Sequence, residues 1–121
     1  MIDGNRIRKY DLEERTAKFG ENIILFCRKI KRNPVNDPLI TQLVKAGTSV
    51  GANYSEADDA VSKADFRNKI GICKKESRES KHFIRMIVVA APELKIDARI
   101  LWTEAKELNL IFNSIFKKLK D

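Results

Sequence analysis

A chain of 121 residues with 43% hydrophobic content suffices for one domain around one core. Five glycines and three prolines leave room for long continuous elements and argue against many short strands. The net charge of +7 suits an anionic partner such as RNA, DNA or an acidic protein surface, and no apolar run nears the roughly 20 residues of a membrane span.

The first helix is expected over residues 11–31. Leu12, Thr16, Phe19, Ile23, Phe26 and Ile30 recur at steps of four and three, one face of a helix. Asp11 is its expected N-cap, and Asn33-Pro34 stops it. Residues 1–10 are expected to be loose, with the bundle domain spanning 11–121.

A second helix starts at Asp37-Pro38, an N-cap followed by proline at the first helical position, and reaches about residue 60. Its segment QLVKAGTSVGANYSEAD, residues 42–58, is dense in small side chains. A helical glycine costs roughly 1 kcal/mol relative to alanine, so Gly47 and Gly51 point to a flat surface where another helix sits close. Ser62 caps the third helix, with Asp65 three residues on, and Pro92 ends it. Phe66, Ile70, Cys73, Ser77, Ser80, Ile84 and Ile87 form its inner stripe. The fourth helix covers 97–119, with Leu101, Ala105, Leu108, Phe112, Ile115 and Leu119 inward. Short connections between long helices predict an all-α, up-down-up-down antiparallel four-helix bundle.

The charge is uneven. Residues 5–32 carry nine Lys/Arg against four Asp/Glu, and residues 63–85 carry eight against three. Residues 33–62 are net acidic, through Asp37, Glu56, Asp58 and Asp59. Helices one and three therefore hold the positive excess, as two diagonal ridges that oligomerisation could join. Arg28, Lys29, Lys31 and Arg32, with Lys74, Lys75, Arg78 and Lys81, are the candidate phosphate-neutralising residues. Tyr10 is the best candidate for stacking on a base. Trp102 and Phe83 are candidates for an apolar patch outside the bundle.

No constellation points to catalysis. His82 is the only histidine, with no CxxC, so a zinc site has little basis. Glu79-Ser80-Lys81-His82 has the Glu-x-x-His spacing of di-metal bundles, but it occurs once and without matching inward glutamates. The glycines of GTSVG lack the Gly-Lys-Ser/Thr of a phosphate loop. Glu76 lies close to the inner stripe, where Thr48, Ser49 or Asn53 could bond to it across the helix interface. Cys27 and Cys73 read as reduced core thiols. The N-terminal MIDGNRIRKYDLEER is too polar for a signal sequence, so a cytoplasmic location is expected.

DLEERTAKFGENI, QLVKAGTSVGANYSEAD and SKADFRNKIGICKKESRESKHFIRM resemble the four-helix bundle proteins related to the 23S rRNA intervening-sequence protein. The resemblance covers residues 11–118 and is most specific in the second helix. It implies a bundle assembling as a ring-like homopentamer, with no established catalytic residues and no cofactor. A relative, the accessory variability protein of diversity-generating retroelements, is basic, binds nucleic acid and partners a reverse transcriptase. Under this resemblance Gly47, Thr48, Ser49, Gly51, Asn53, Tyr54 and Glu56 read as fold and assembly positions. His82-Phe83 stands where the family often has two aromatics.

The expected function is non-enzymatic: an oligomeric, RNA-associated nucleic-acid-binding bundle. The alternative is an adaptor for an acidic partner such as a polymerase or reverse transcriptase.

Overall fold

The computed structural model describes residues 4–119, with side chains from Leu12 onward. Four long helices account for most of it: α1 Gly4–Cys27, α2 Asn36–Asp58, α3 Lys63–Ala90 and α4 Lys95–Lys118. A single 3-10 turn, Pro92–Leu94, leads into α4. Each helix packs along its neighbours in sequence, and α1 closes the ring against α4; the diagonal helices stand further apart, with core side chains such as Tyr54 and Phe112 meeting across the centre. The chain is thus the expected all-α four-helix bundle.

The helix ends differ from expectation in three places. α1 begins at Gly4, so Asp11 lies within the helix and not at its N-cap; residues 1–3 of the segment expected to be loose lie outside the described residues. α1 also ends at Cys27, four residues short of the expected stop, with Arg28, Lys29 and Ile30 in a turn closed by Lys29 N–H to Phe26 O at 3.0 Å. The cap of α2 is likewise not Asp37. Asn33 Oδ1 accepts from the backbone N–H of Val35 at 3.0 Å and of Asn36 at 2.7 Å. The buried Asn36 amide in turn donates to Lys31 O at 2.9 Å. Asp37, in the first turn of α2, instead pairs with Arg32 at 2.6 Å and accepts from the Asn33 backbone N–H at 3.2 Å. At α3 the expected cap is present, with Ser62 Oγ accepting from Asp65 N–H at 3.0 Å.

The core is one continuous cluster. Phe19, Ile23, Leu43, Val50, Ile70, Ile84, Ile87, Leu108 and Phe112 are fully enclosed. α1 and α2 approach most closely where the small residues lie. A Cβ added to Gly47 would stand 2.7 Å from Ile23 Cγ1, and one added to Gly51 would stand 3.1 Å from the Thr16 carbonyl oxygen. Tyr54 is buried two turns from Gly47, its ring centroid 6.0 Å from that of Phe112.

The hydroxyls and amide expected to reach Glu76 stay on their own helix. Thr48 donates to Val44 O at 2.7 Å, Ser49 to Lys45 O at 2.6 Å and Asn53 to Ser49 O at 2.9 Å. Glu76 is half-buried at the α3 surface, and burial first, then repulsion from Glu79, raises its pKa. The internal polar seam lies instead between α3 and α4, where Asn109 Nδ2 donates to Lys74 O at 2.8 Å and to Ser77 Oγ at 3.2 Å.

Candidate nucleic-acid interface

Along α3, cations fall at 67, 74, 78, 81 and 85, a spacing that keeps all five on one flank of a helix. That flank is turned toward α4. The Arg67 guanidinium lies 3.8 Å from the centroid of the Phe116 ring, and Lys74 Nζ lies 5.0 Å from it. Arg67 Nε is buried without a hydrogen-bond partner, so the ring is its principal neighbour. Phe116 can lie this close to α3 because position 71 is glycine: an added Cβ there would be 3.0 Å from Phe116 Cε1. One step along the groove, Lys81 Nζ and Lys106 Nζ stand 5.8 and 5.6 Å from the Trp102 ring centroid.

α4 completes the groove with Lys95, Arg99 and Lys106, while its acidic residues serve other partners. Asp97 pairs with Lys29 at 3.1 Å. Glu104 grips Arg15 through two bonds of 2.7 and 2.8 Å, and Glu107 adds a third at 2.7 Å. Among the described residues, no carboxylate pairs with Arg67, Lys74, Arg78, Lys81 or Arg85, nor with Lys95, Arg99 or Lys106. Eight cations therefore border one groove with no carboxylate partner among the described residues, an arrangement that attracts polyanions.

The eight residues singled out from the sequence divide sharply. Lys29 is held by Asp97 and Arg32 by Asp37, at 3.1 and 2.6 Å, while Arg28 and Lys31 stand exposed in the same turn. Lys75 lies 3.9 Å from Glu79 on the solvent side of α3. Lys74, Arg78 and Lys81 belong to the row along the groove. Tyr10 lies outside the residues whose side chains are described. The sequence reading missed Arg67, Arg85, Lys95, Arg99 and Lys106. The helical spacing of the α3 members was available as a signal; the direction in which α4's acids turn was not.

A second cleft, about 460 Å³, opens between α1 and α4. Arg15 fills its centre, its pKa raised chiefly by the bond to Glu104. Its Glu104 and Glu107 carboxylates are thus engaged in a clamp between two helices. His82 is exposed and meets Phe83 edge-on at 5.1 Å between centroids, away from any cluster of metal-ligating side chains among the described residues. Both cysteines are free and buried; burial pushes the Cys27 thiol up to about 11 and the Cys73 thiol up to about 12. Neither is a nucleophile at neutral pH. No described helix is long and apolar enough to cross a membrane.

A family model described as "23S rRNA-intervening sequence protein" matches residues 8–114. The chain belongs to this family. A solved structure from Bacteroides thetaiotaomicron, described as a protein with unknown function from the S23 ribosomal protein family, shares the fold with a TM-score of 0.81. It is 25% identical, and the match covers 90% of this chain and 97% of that one. No curated protein matches the chain. The shared fold is the four-helix bundle described above.

Proposed function

We propose that this protein is a non-enzymatic, oligomeric bundle that binds nucleic acid in the cytoplasm, in association with RNA, and that the α3–α4 groove is the principal contact surface. The observation that carries this reading is the row Arg67, Lys74, Arg78, Lys81 and Arg85, which no carboxylate of the described chain neutralises. From 67 to 85 the row extends about 27 Å at the helical rise, long enough to follow several phosphates of one strand. Arg28 and Lys31 add charge at the α1–α2 turn. The free thiols agree with a reducing compartment. A non-enzymatic role is supported by what the polar groups do: Arg15, Glu104 and Glu107 clamp helices, and both thiols are buried.

Self-association is part of the proposal. Leu25, Ile96 and Ile100 leave 55%, 79% and 66% of their surface exposed, apolar area that a second copy would cover. The resemblance implies five copies, and sedimentation analysis counts them directly.

The test is binding of RNA and DNA oligonucleotides across a salt series. Affinity falling steeply with salt, with little dependence on sequence, is the expected outcome. Absence of binding at low salt overturns the proposal.

A further inference from the structure

Trp102 divides the α3–α4 groove into two parts with different chemistry. On one side stand Lys81 and Lys106. On the other is a pocket of about 510 Å³, walled by Ile84, Val88 and Ala98 and rimmed by Arg85, Lys95 and Arg99. All three rim cations are exposed, and none has a carboxylate partner among the described residues. Trp102 itself is 36% exposed. An apolar floor with an exposed indole suits a flat aromatic body, and a cationic rim suits an anion attached to it.

The rest of the groove defines what that ligand is attached to. The row of α3 cations continues away from the pocket to Arg67, so the ligand carries negative charge repeatedly along its length. A strand of nucleic acid has this construction, with flat bases on a chain of phosphates. A duplex keeps its bases stacked inside and cannot offer one to a side pocket; a single strand can.

We infer that the Trp102 pocket seats an unstacked base of single-stranded nucleic acid, with Arg85, Lys95 and Arg99 on the adjoining phosphates and the α3 row guiding the strand. This inference rests on the nucleic-acid reading above and adds strand selectivity to it. Lys81 and Lys106, at the far edge of cation–π range from the indole, are free to swing onto phosphates without uncovering the pocket wall.

Trp102 is the chain's one tryptophan, so its fluorescence reports on this site alone. The experiment titrates full-length protein at low salt with oligo(dT) of about 12 nucleotides, a length within the usual site size of such grooves. Parallel titrations use an abasic oligomer of equal length, the matching duplex and an acidic peptide. Oligo(dT) is expected to quench Trp102 emission and to bind more tightly than the abasic strand and the duplex. Trp102→Ala is expected to weaken oligo(dT) binding on the order of tenfold, the scale of one base–aromatic stack, and to leave abasic-strand binding unchanged. Trp102→Phe is expected to retain most of the affinity.

Equal binding of oligo(dT), abasic strand and duplex with unchanged emission overturns this inference and leaves the general nucleic-acid reading standing. Failure of every nucleic acid to bind overturns both. Quenching by the acidic peptide alone assigns the pocket to a protein segment and also overturns both. Emission that shifts with protein concentration, and is then insensitive to oligo(dT), assigns the pocket to a second copy and overturns the inference.

Discussion

Gly47 of α2 lies directly over Ile23 of α1, with so little space that an added Cβ would stand 2.7 Å from Ile23 Cγ1. Ile23 is completely buried and cannot move aside. Alanine favours a helix over glycine by roughly 1 kcal/mol, yet overpacking a closed core costs about 1–3 kcal/mol. Gly47→Ala is therefore expected to lower stability. Gly20, on the facing helix, offers the contrast: an added Cβ there meets Thr48 Cα at 3.5 Å, an ordinary contact. Gly20→Ala is expected to be neutral or stabilising by up to about 1 kcal/mol. Urea unfolding of the two variants measures the difference, and equal midpoints would contradict the close-packing account.

Asn33 carries the entry into α2, accepting two backbone N–H groups. Asn33→Ala is expected to cost about 1 kcal/mol, the usual value for a lost cap. Asp37→Ala, which removes an exposed pair with Arg32 and one acceptor for the Asn33 N–H, is expected to cost less than Asn33→Ala. The same urea midpoints decide between them.

This turn shows where sequence reading succeeds and where it stops. Ser62 was legible as a cap because one side chain meets a backbone N–H three residues ahead. At Asn33 the choice between two cap-forming residues depends on where the chain leaves α1, and apolar spacing does not fix that. Phe26 and Ile30 keep the period although the helix ends between them, because a tight turn also buries Ile30. The groove was half legible. Cations at 67, 74, 78, 81 and 85 mark one flank from spacing alone. Which cations are neutralised depends on contacts between distant helices, such as Lys29 with Asp97 and Arg15 with Glu104.

Arg15 ties α1 to α4 across their open seam. Its fork meets Glu104 through two bonds, with only 24% of the Arg15 and 31% of the Glu104 side chain exposed. A bidentate, half-sheltered pair exceeds the usual surface ion pair. A double-mutant cycle with Arg15→Ala and Glu104→Ala is expected to give a coupling of about 1 kcal/mol, reduced in high salt. A coupling near zero would show that the clamp is unneeded.

The buried thiols set an alkaline limit. Cys73 is held neutral in the fold, its pKa moved from 9.0 up to about 12. In the unfolded chain the thiol loses its proton first, so between those values the folded state binds more protons and stability falls as pH rises. Below 9.0 the contribution is fully present. The Cys73 share of the fall is expected to approach about 1.4 kcal/mol per pH unit, the linkage slope of one proton. Cys27 and Tyr54, both raised by burial, act with the same sign. Urea unfolding between about pH 8 and 10.5 should show the combined slope of these groups, and Cys73→Ala should make it shallower. An unchanged slope in the variant would place the alkaline loss elsewhere.

The row along α3 is the centre of the functional account, and the salt dependence of oligonucleotide binding tests it most directly. The comparison is between wild type, a variant with Lys74, Arg78, Lys81 and Arg85 changed to glutamine, and a variant with Lys29 and Arg32 so changed. Each lost phosphate contact lowers the slope of log K against log salt by about 0.7 for a single strand. The fourfold α3 variant is expected to lose about two to three units of slope and most of its affinity. The Lys29/Arg32 variant is expected to bind nearly as wild type, because Asp97 and Asp37 already neutralise those cations. Equal slopes in wild type and the α3 variant would contradict the account.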